Sequence, residues 1–379
     1  MDIRSPRHRT VDPEIDLLVT ELLAKAGAAD GPDRDQLYEI LATAVGLAGD
    51  GTDRLNLKIT NAALAEMREA FRVFAPYRDI PKVTIFGSAR TQPDDPLYLQ
   101  TRALATALAT AGWMIVTGAG PGIMAAGAEG AGRARSIGVN IRLPFEQEAN
   151  PFIASDPKLV VMKYFFTRKL MLMKESAGFA VLPGGFGTLD EAFELLTLLQ
   201  TGKAAPAPIV LLEVPGGTYW KGWDHFIRTE VAARGLVSAE DLALCRITDD
   251  VDDAAGELLG FFRNYHSIRF VGNRLVIRLR AAPTTEELAA LDRDFADICT
   301  RGHIEAVEPL ASEVSSRDQL ELPRIALHFD RMSYGRLRSL IDALNSLPSA
   351  PPIQAPDPDA ATAAAAPTEA ATVDPIAGP

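Results

Sequence analysis

The sequence predicts an α/β fold, a doubly wound and Rossmann-like parallel sheet with a helical N-terminal extension and a small C-terminal α/β module. Between residues 80 and 267, short apolar runs alternate with helical patterns, which is typical of a parallel sheet. Glycine clusters follow several of these runs, where a strand must turn sharply into a helix. Residues 11–78 contain only helical spacing of apolar side chains.

The first 79 residues are predicted to form a helical extension. Apolar residues recur at helical spacing over 15–23, 37–45 and 63–74. The pattern ends at Pro76, because proline lacks the N–H that a helix interior requires. We therefore assign residues 1–79 to this extension.

Residues 80–267 are predicted to hold the main sheet. The predicted strands are residues 83–86, 113–116, 137–141, 159–161, 179–182, 208–212 and 242–247. The predicted helices are residues 97–111, 122–135, 167–176, 191–200, 220–233 and 251–265. Ligands of open parallel sheets bind at the carboxyl ends of the strands, so the segments that follow the strands are the candidates for a site.

The C-terminal part is predicted to comprise a small module and a tail. In residues 268–347 we expect strands at 275–279, 304–307 and 324–329, with helices at 285–299 and 334–347. No motif there indicates a chemistry. Residues 348–379 are mostly Pro, Ala, Thr and Asp, too poor in large apolar side chains to form a core, and are predicted to be disordered.

Composition excludes several classes of protein. The 379 residues carry a net charge of −12, which argues against a nucleic-acid partner because such a partner requires a basic face. Cys245 and Cys299 lie far apart and the five histidines show no ligand spacing, so we expect neither a disulfide framework nor a metal site. With no membrane-spanning apolar run and no signal peptide, a soluble cytoplasmic protein with no membrane partner is expected.

Residues 183–191, Pro-Gly-Gly-Phe-Gly-Thr-Leu-Asp-Glu, are the most informative segment. Glycines let a ligand approach the backbone, and the N–H groups of a helix that begins at Thr188 would attract a phosphate. Glu191 would lie beside that anion site. A capping box between Thr188 and Glu191 explains the glutamate equally well by itself, and Asp190 fits a surface acid that complements the helix dipole. The preceding glycines, which a cap does not require, favour a functional site.

Two more glycine segments follow predicted strands, Gly87–Arg90 and Thr117–Gly122. The second has the spacing GxGxG, whereas a dinucleotide site would have GxGxxG, and no acidic residue ends the next strand. These features favour a mononucleotide over NAD. Ordinary strand-to-helix turns remain an alternative explanation for the second segment.

Arg168 and Lys169 lie in the first turn of a predicted helix, where the helix dipole disfavours exposed cations by roughly 0.3–1 kcal/mol each. A bound anion would remove this conflict, and an arginine can hold a phosphate through two hydrogen bonds. We therefore favour a functional role for Arg168. For Lys169, a solvated side chain on a helix that begins elsewhere is an equally good interpretation.

The motif Pro183-Gly-Gly-x-Gly-Thr-x-x-Glu191, with Arg168-Lys169 placed 23 residues before the glutamate, resembles the LONELY GUY (LOG) family. The resemblance covers roughly residues 80–265, and Gly87–Arg90, Gly118–Met124 and Pro144-Phe-Glu146 also fit it. Members of this family, often mislabelled lysine decarboxylases, are phosphoribohydrolases. They cleave nucleoside 5′-monophosphates such as AMP or cytokinin riboside monophosphates to the free base and ribose 5-phosphate. The resemblance implies no cofactor and a homodimer or larger homo-oligomer.

By this resemblance Arg168 and Glu191 form the catalytic pair. The residues implied to bind substrate are Gly87, Ser88, Gly118, Glu146, Lys169, Gly184, Gly185, Gly187, Thr188 and Thr197. Ala119 stands where the family commonly has glycine, and the segment after Glu146 is longer than in plant-type members, which leaves the base preference open. A non-catalytic carrier of a nucleotide or of molybdenum cofactor on the same fold is the alternative function. Nothing here supplies the context of a pyridoxal-binding lysine.

Overall fold

A computed structural model describes residues 12–143 and 148–352. The chain divides into two compact units, one that ends at Arg68 and one that begins at Glu69. Most of the predicted tail, residues 353–379, lies outside the described residues, so its disorder stays a prediction. Within the described ranges, no helix is both long and apolar enough to cross a membrane.

The N-terminal region is helical, as predicted. It contains α1 (Pro13–Lys25), α2 (Arg34–Gly49) and α3 (Arg54–Phe74), followed by a short 3₁₀ turn. The start of α1 is fixed by Asp12, whose side chain accepts a hydrogen bond from the Glu14 N–H at 2.8 Å, and by a proline at the first helical position. Helix α3 begins in the first unit and ends in the second.

The main sheet has seven strands in the order β4-β3-β2-β1-β5-β6-β7, and every neighbouring pair is parallel. The strands are β1 (Lys82–Phe86), β2 (Met114–Thr117), β3 (Ser136–Ile141), β4 (Leu159–Met162), β5 (Gly178–Val181), β6 (Ile209–Leu212) and β7 (Arg246–Thr248). All residues of β1, β2, β5 and β6 are buried, which explains why these strands are mostly apolar. The predicted doubly wound parallel sheet is confirmed.

Helices connect these strands. They are α4 (Pro96–Thr110), α5 (Ile123–Arg135), α6 (Phe165–Lys174), α7 (Phe186–Gln200), α8 (Tyr219–Phe226) and α9 (Val251–Gly260). From β4 at one edge, the chain returns through α6 to β5, which pairs with β1 in the middle of the sheet. The strand order reverses there, and a crevice at such a reversal is where open α/β sheets bind ligands.

A second, antiparallel sheet follows in the order β10-β11-β9-β8. Its strands are β8 (Tyr265–Val271), β9 (Arg274–Leu279), β10 (Glu305–Ala306) and β11 (Arg324–Leu327), and its helices are α10 (Thr285–Asp294), α11 (Ala311–Ser316) and α12 (Tyr334–Ser346). Apolar side chains of this sheet and of α12 share one core. The predicted domain limits at 267 and 347 stay predictions.

The helix predicted over residues 251–265 is wrong in its last part. Helix α9 ends at Gly260 and Tyr265 begins β8. The pairing of β8 with β9 is irregular between Tyr265 and Ser267, which interrupts the alternation that would identify a strand. Asn345 of α12 also accepts hydrogen bonds from the N–H groups of Asn264 (2.8 Å) and Tyr265 (2.9 Å). This contact bridges about 80 residues of chain and leaves no local signal.

The strand predicted over residues 242–247 is also wrong at its start. Residues 240–244 form a 3₁₀ helix, and only Arg246–Thr248 pair with β6. This strand lies at the edge of the sheet, where short strands are common.

Candidate active site

A cleft of about 770 Å³ opens at the carboxyl ends of β1, β2 and β5, where the strand order reverses. It is lined by residues 85–90, by residues 184–189 at the start of α7, and by Gly118, Met124, Arg168, Glu191 and Tyr219. The two glycine segments Gly87–Arg90 and Thr117–Gly122, the segment 183–191 and the pair Arg168-Lys169 therefore each contribute at least one residue to one cleft.

The glycine segment 183–187 leads directly into α7. The helix begins at Phe186, two residues earlier than predicted, and no side chain caps it. Thr188 is therefore the third helical residue and Glu191 the sixth, so the capping box considered for this pair is absent. Since the first N–H groups of a helix lack partners within it, the start of α7 offers donors to an anion. Gly185 and Gly187 face open space.

The loops that follow β1 and β5 are in direct contact. The Ser88 N–H donates a hydrogen bond to the Pro183 carbonyl at 3.3 Å. A Cβ at Gly184 would clash with the Thr188 side chain and stand 3.1 Å from the Ser88 nitrogen, which explains the glycine there. The Tyr219 hydroxyl donates to the Gly184 carbonyl at 2.7 Å and holds the loop from the other side.

Arg168 extends beneath the loop that follows β2. Its Nε donates to the Val139 carbonyl at 2.8 Å, and its Nη2 lies 3.5 Å from the Gly118 carbonyl oxygen. A Cβ at Gly118 would overlap the guanidinium of Arg168, so glycine there leaves room for that side chain. Ala119 next to it has a φ of 57°, in the left-handed region that favours glycine. Burial lowers the pKa of Arg168, and the charge of Glu191 opposes that effect.

The argument from the helix dipole does not hold for Arg168 and Lys169. Helix α6 begins at Phe165, so the two cations are its fourth and fifth residues. The Arg168 N–H is already bonded to the Tyr164 carbonyl at 3.2 Å. The presence of Arg168 in the cleft therefore rests on the direction of its side chain and not on a conflict at the helix start.

Glu191 lies in the cleft with only 8% of its surface exposed. Burial raises the pKa of its carboxyl group above the usual value, while the positive charges of Arg168 and Lys169 oppose that rise. Among the residues that the structure describes, none forms an ion pair with Glu191. The carboxylate that the sequence singled out is thus mostly buried, its small exposed part belongs to a residue that lines the cleft, and the charge of Arg168 acts on its pKa.

Two described residues implied to bind substrate, Lys169 and Thr197, do not line the cleft. Lys169 Nζ pairs with Asp190 at 2.5 Å and with Glu194 at 2.8 Å on α7. Thr197, further along α7, donates to the Phe193 carbonyl and lines a separate apolar pocket beside α8. Glu146 lies outside the described residues. The other seven, Gly87, Ser88, Gly118, Gly184, Gly185, Gly187 and Thr188, all line the cleft.

Several cleft residues received no role from the sequence, among them Arg90, Phe186 and Tyr219. Arg90 belongs to a segment that the sequence indicated, but it received no role. Phe186, the variable position of the glycine motif, is 94% exposed. Tyr219 reaches the cleft from α8 and has no local sequence signal.

The fold and the cleft define a Rossmann-like α/β protein with its site at the point where the strand order reverses. A family model described as "Possible lysine decarboxylase" matches residues 122–258. Two relatives carry the name cytokinin riboside 5′-monophosphate phosphoribohydrolase. The Mycobacterium marinum relative is 29% identical over 171 residues, which are 43% of this chain and 86% of the relative. The Mycobacterium tuberculosis relative is 31% identical over 157 residues, which are 39% of this chain and 78% of the relative.

The chain therefore belongs to the LOG family. Among solved structures, the molybdenum cofactor carrier protein of Chlamydomonas reinhardtii is similar at 20% identity and a TM-score of 0.33, over 47% of this chain and 94% of the carrier. A similarity at this level carries no argument about function.

Proposed function

We propose that this protein hydrolyses the N-glycosidic bond of nucleoside 5′-monophosphates, such as AMP or cytokinin riboside monophosphates, to a free base and ribose 5-phosphate. The observation that carries the proposal is Glu191, a buried carboxylate without an ion pair among the described residues, in the same cleft as Arg168 and the glycine loop. Burial raises the pKa of this carboxyl group, and acids with a perturbed pKa in a cleft are candidates for a functional site. The names of the two mycobacterial relatives support the class of reaction.

The start of α7 is suited to the 5′-phosphate. Its first N–H groups lack helical partners, and Gly185 and Gly187 leave space for a ligand to approach the backbone. Holding the phosphate there lets binding energy far from the reacting bond position the ribose next to Glu191.

Glu191 would act at the anomeric carbon. The C1′–N bond breaks, its electron pair leaves with the base, and the ribose develops the character of an oxocarbenium ion. An ionised Glu191 stabilises that cation and accepts a proton as water forms the new C1′–O bond, while the departing base takes a proton from solvent. The opposing effects of burial and of Arg168 set the proton affinity of this carboxylate. Arg168, fixed by backbone carbonyls, keeps its charge at a constant place.

The family also suggests how the protein assembles. Helix α6 exposes Phe165, Phe166 and Leu170, an apolar surface that supports a homodimer or larger homo-oligomer. We further propose that the reaction needs no cofactor. A cytoplasmic location and the absence of a nucleic-acid partner stay predictions.

A carrier without catalytic activity is the weaker proposal. A carrier needs the glycine loop but gains nothing from a buried carboxylate that repels a phosphate. Keeping such a group costs stability, which a protein tolerates where the group has a function.

A substrate screen tests the hydrolase. The full chain is incubated with AMP, isopentenyladenosine monophosphate and the other common nucleoside monophosphates, and the free base and ribose 5-phosphate are quantified by chromatography. We expect equimolar base and ribose 5-phosphate from at least one of them. If every nucleotide stays intact the hydrolase is wrong, and tight binding without turnover would instead favour the carrier.

A further inference from the structure

We infer that Arg90 binds the 5′-phosphate of the substrate and so makes the site specific for nucleotides over nucleosides. This inference rests on the proposed function and deepens it, because neither the family motif nor the comparisons assign a role to Arg90. The argument follows from the positive charges available in the cleft.

Only two cationic side chains, Arg90 and Arg168, are among the described residues that line the cleft. The guanidinium of Arg168 is held by the carbonyls of Val139 and Gly118 and cannot turn towards a phosphate without losing them. Lys169, which the family resemblance implies as a substrate-binding residue, is engaged by two acids of α7. For the guanidinium of Arg90, by contrast, the described parts of the chain supply no hydrogen bond or ion pair.

The backbone fixes Arg90 beside the glycine loop. Its N–H donates to the Ser88 hydroxyl at 3.1 Å, while the Ser88 N–H is bonded to Pro183 at the entrance to that loop. On the other side, the Ser88 carbonyl accepts the N–H of Ile123 at the start of α5, at 3.0 Å. The segment that carries Arg90 is therefore bonded to the glycine loop on one side and to the start of α5 on the other, and Arg90 is an exposed residue among those that line the cleft.

The charge of the ligand requires a cation here. A nucleoside 5′-monophosphate carries about two negative charges near neutral pH, and the cleft already contains the carboxylate of Glu191. Backbone N–H groups supply only partial charges, whereas a guanidinium supplies a full charge and two parallel hydrogen bonds to phosphate oxygens. Arg90 is the cleft residue that is available to do this. An uncharged nucleoside would gain nothing from it.

The test compares Arg90→Gln and Arg90→Lys with the wild type in calorimetric titrations of ribose 5-phosphate, AMP and adenosine. The matched control is Arg293→Gln, which removes an exposed arginine on α10, outside the cleft. Glu191→Gln is added to each variant for the AMP titration, so that AMP is not consumed.

We expect Arg90→Gln to weaken the binding of ribose 5-phosphate and of AMP by about 10- to 100-fold, which is the effect of losing one charged hydrogen bond. The affinity for adenosine should not change. Arg90→Lys should keep part of the affinity because it keeps the charge, and Arg293→Gln should match the wild type. Affinities of Arg90→Gln within twofold of the wild type, an equal loss for adenosine, or no binding of ribose 5-phosphate by the wild type would each overturn the inference.

Binding and turnover separate the two proposals. If no nucleotide is cleaved but Arg90→Gln still weakens the binding of ribose 5-phosphate, the proposed hydrolase activity is wrong and the proposed contact between Arg90 and the phosphate is supported. If AMP is cleaved and Arg90→Gln binds ribose 5-phosphate normally, only the role of Arg90 fails. Circular dichroism spectra and melting curves establish that each variant is folded.

Discussion

Two buried glutamates of this chain, Glu191 in the main sheet domain and Glu313 in the C-terminal module, have pKa values shifted in opposite directions. Glu313 is 0% exposed and Glu191 is 8% exposed. Glu313 accepts hydrogen bonds from Arg278 at 2.7 and 3.0 Å and pairs with Arg324 at 2.9 Å. Burial alone would raise the pKa of Glu313, but these two arginines hold it below the usual value. For Glu191 burial prevails and the pKa rises.

The difference separates an acid with a structural role, Glu313, from Glu191, the acid that we propose to be catalytic. Glu313 joins α11 to β9 and β11, and it also accepts the N–H of Leu310 at 3.1 Å. It therefore performs the capping role that the local sequence suggested for Glu191. Glu191 has no ion pair among the described residues and opens to the cleft. A buried acid without a counter-charge destabilises a fold. Its presence in a cleft therefore favours a catalytic or binding role for the acid.

The largest expected effect is on catalysis. Glu191→Gln should lower kcat/KM for the best nucleotide by about 10²- to 10⁴-fold, because a group that acts as a base on the attacking water is lost. Asp190→Asn is the matched control, since it removes the neighbouring acid, which pairs with Lys169 outside the cleft. It should keep most of the activity. Near wild-type rates for Glu191→Gln would end the proposed role of this residue.

The next largest effect is on stability, at Glu313. Glu313→Gln should lower the free energy of unfolding by about 3–5 kcal/mol, because Arg324 is then buried without an ion pair among the described residues and Arg278 keeps only its pair with Asp318. Urea denaturation followed by circular dichroism measures this. A loss below about 1 kcal/mol would mean that the network contributes little.

Stability should change in the opposite direction at Glu191. Because its pKa is raised in the folded state, the protonated form favours folding, and this contribution is lost as the pH rises from the unfolded-state pKa through the folded one. At pH 7.5, Glu191→Gln should therefore raise the free energy of unfolding by roughly 0.5–2 kcal/mol. The gain should vanish below a pH of about 4, where the wild-type carboxyl is protonated in both states. A variant less stable than the wild type at pH 7.5 contradicts this.

The smallest effect is on the pH profile. If an ionised Glu191 is needed, kcat/KM falls as the pH drops through its raised pKa. Arg168 and Lys169 both hold that pKa down, so Arg168→Gln and Lys169→Gln should move this acidic limb to higher pH, with the larger shift for Arg168. Initial rates measured at intervals between about pH 4 and 8, from the usual pKa of a glutamate upwards, test these shifts of the acidic limb. A limb that moves to lower pH would show that another group titrates.

Much of the fold follows from the sequence because the strands of a parallel sheet are buried on both faces. The segment 179–182, for example, is a continuous apolar run between turn residues, and such runs are recognised locally. Strand β8 was missed because its bulge interrupts the alternation and because the N–H groups at its start are bonded by Asn345, a residue of α12. Contacts over that separation leave no trace in the local pattern.

The site shows the same limit. The glycines and Glu191 were singled out because the glycine loop and the start of α7 are one continuous segment of the sequence. The predicted role of Lys169 depended on the direction of its side chain. Ion pairs with Asp190 and Glu194 of α7 hold that side chain outside the cleft. Tyr219 reaches the cleft only because α8 packs beside the loop, as its bond to Gly184 shows.

By itself the sequence determined the parallel sheet, the position of the glycine loop and the pair of residues, Arg168 and Glu191, that share the cleft. It could not determine which buried glutamate stays without an ion pair. Local pattern gave Glu191 the capping signature, yet Glu313 bonds the helix-start N–H and is neutralised by Arg278, 35 residues away in the chain. The pKa of a buried acid depends on the charges that surround it in space, and folding brings those charges from distant segments.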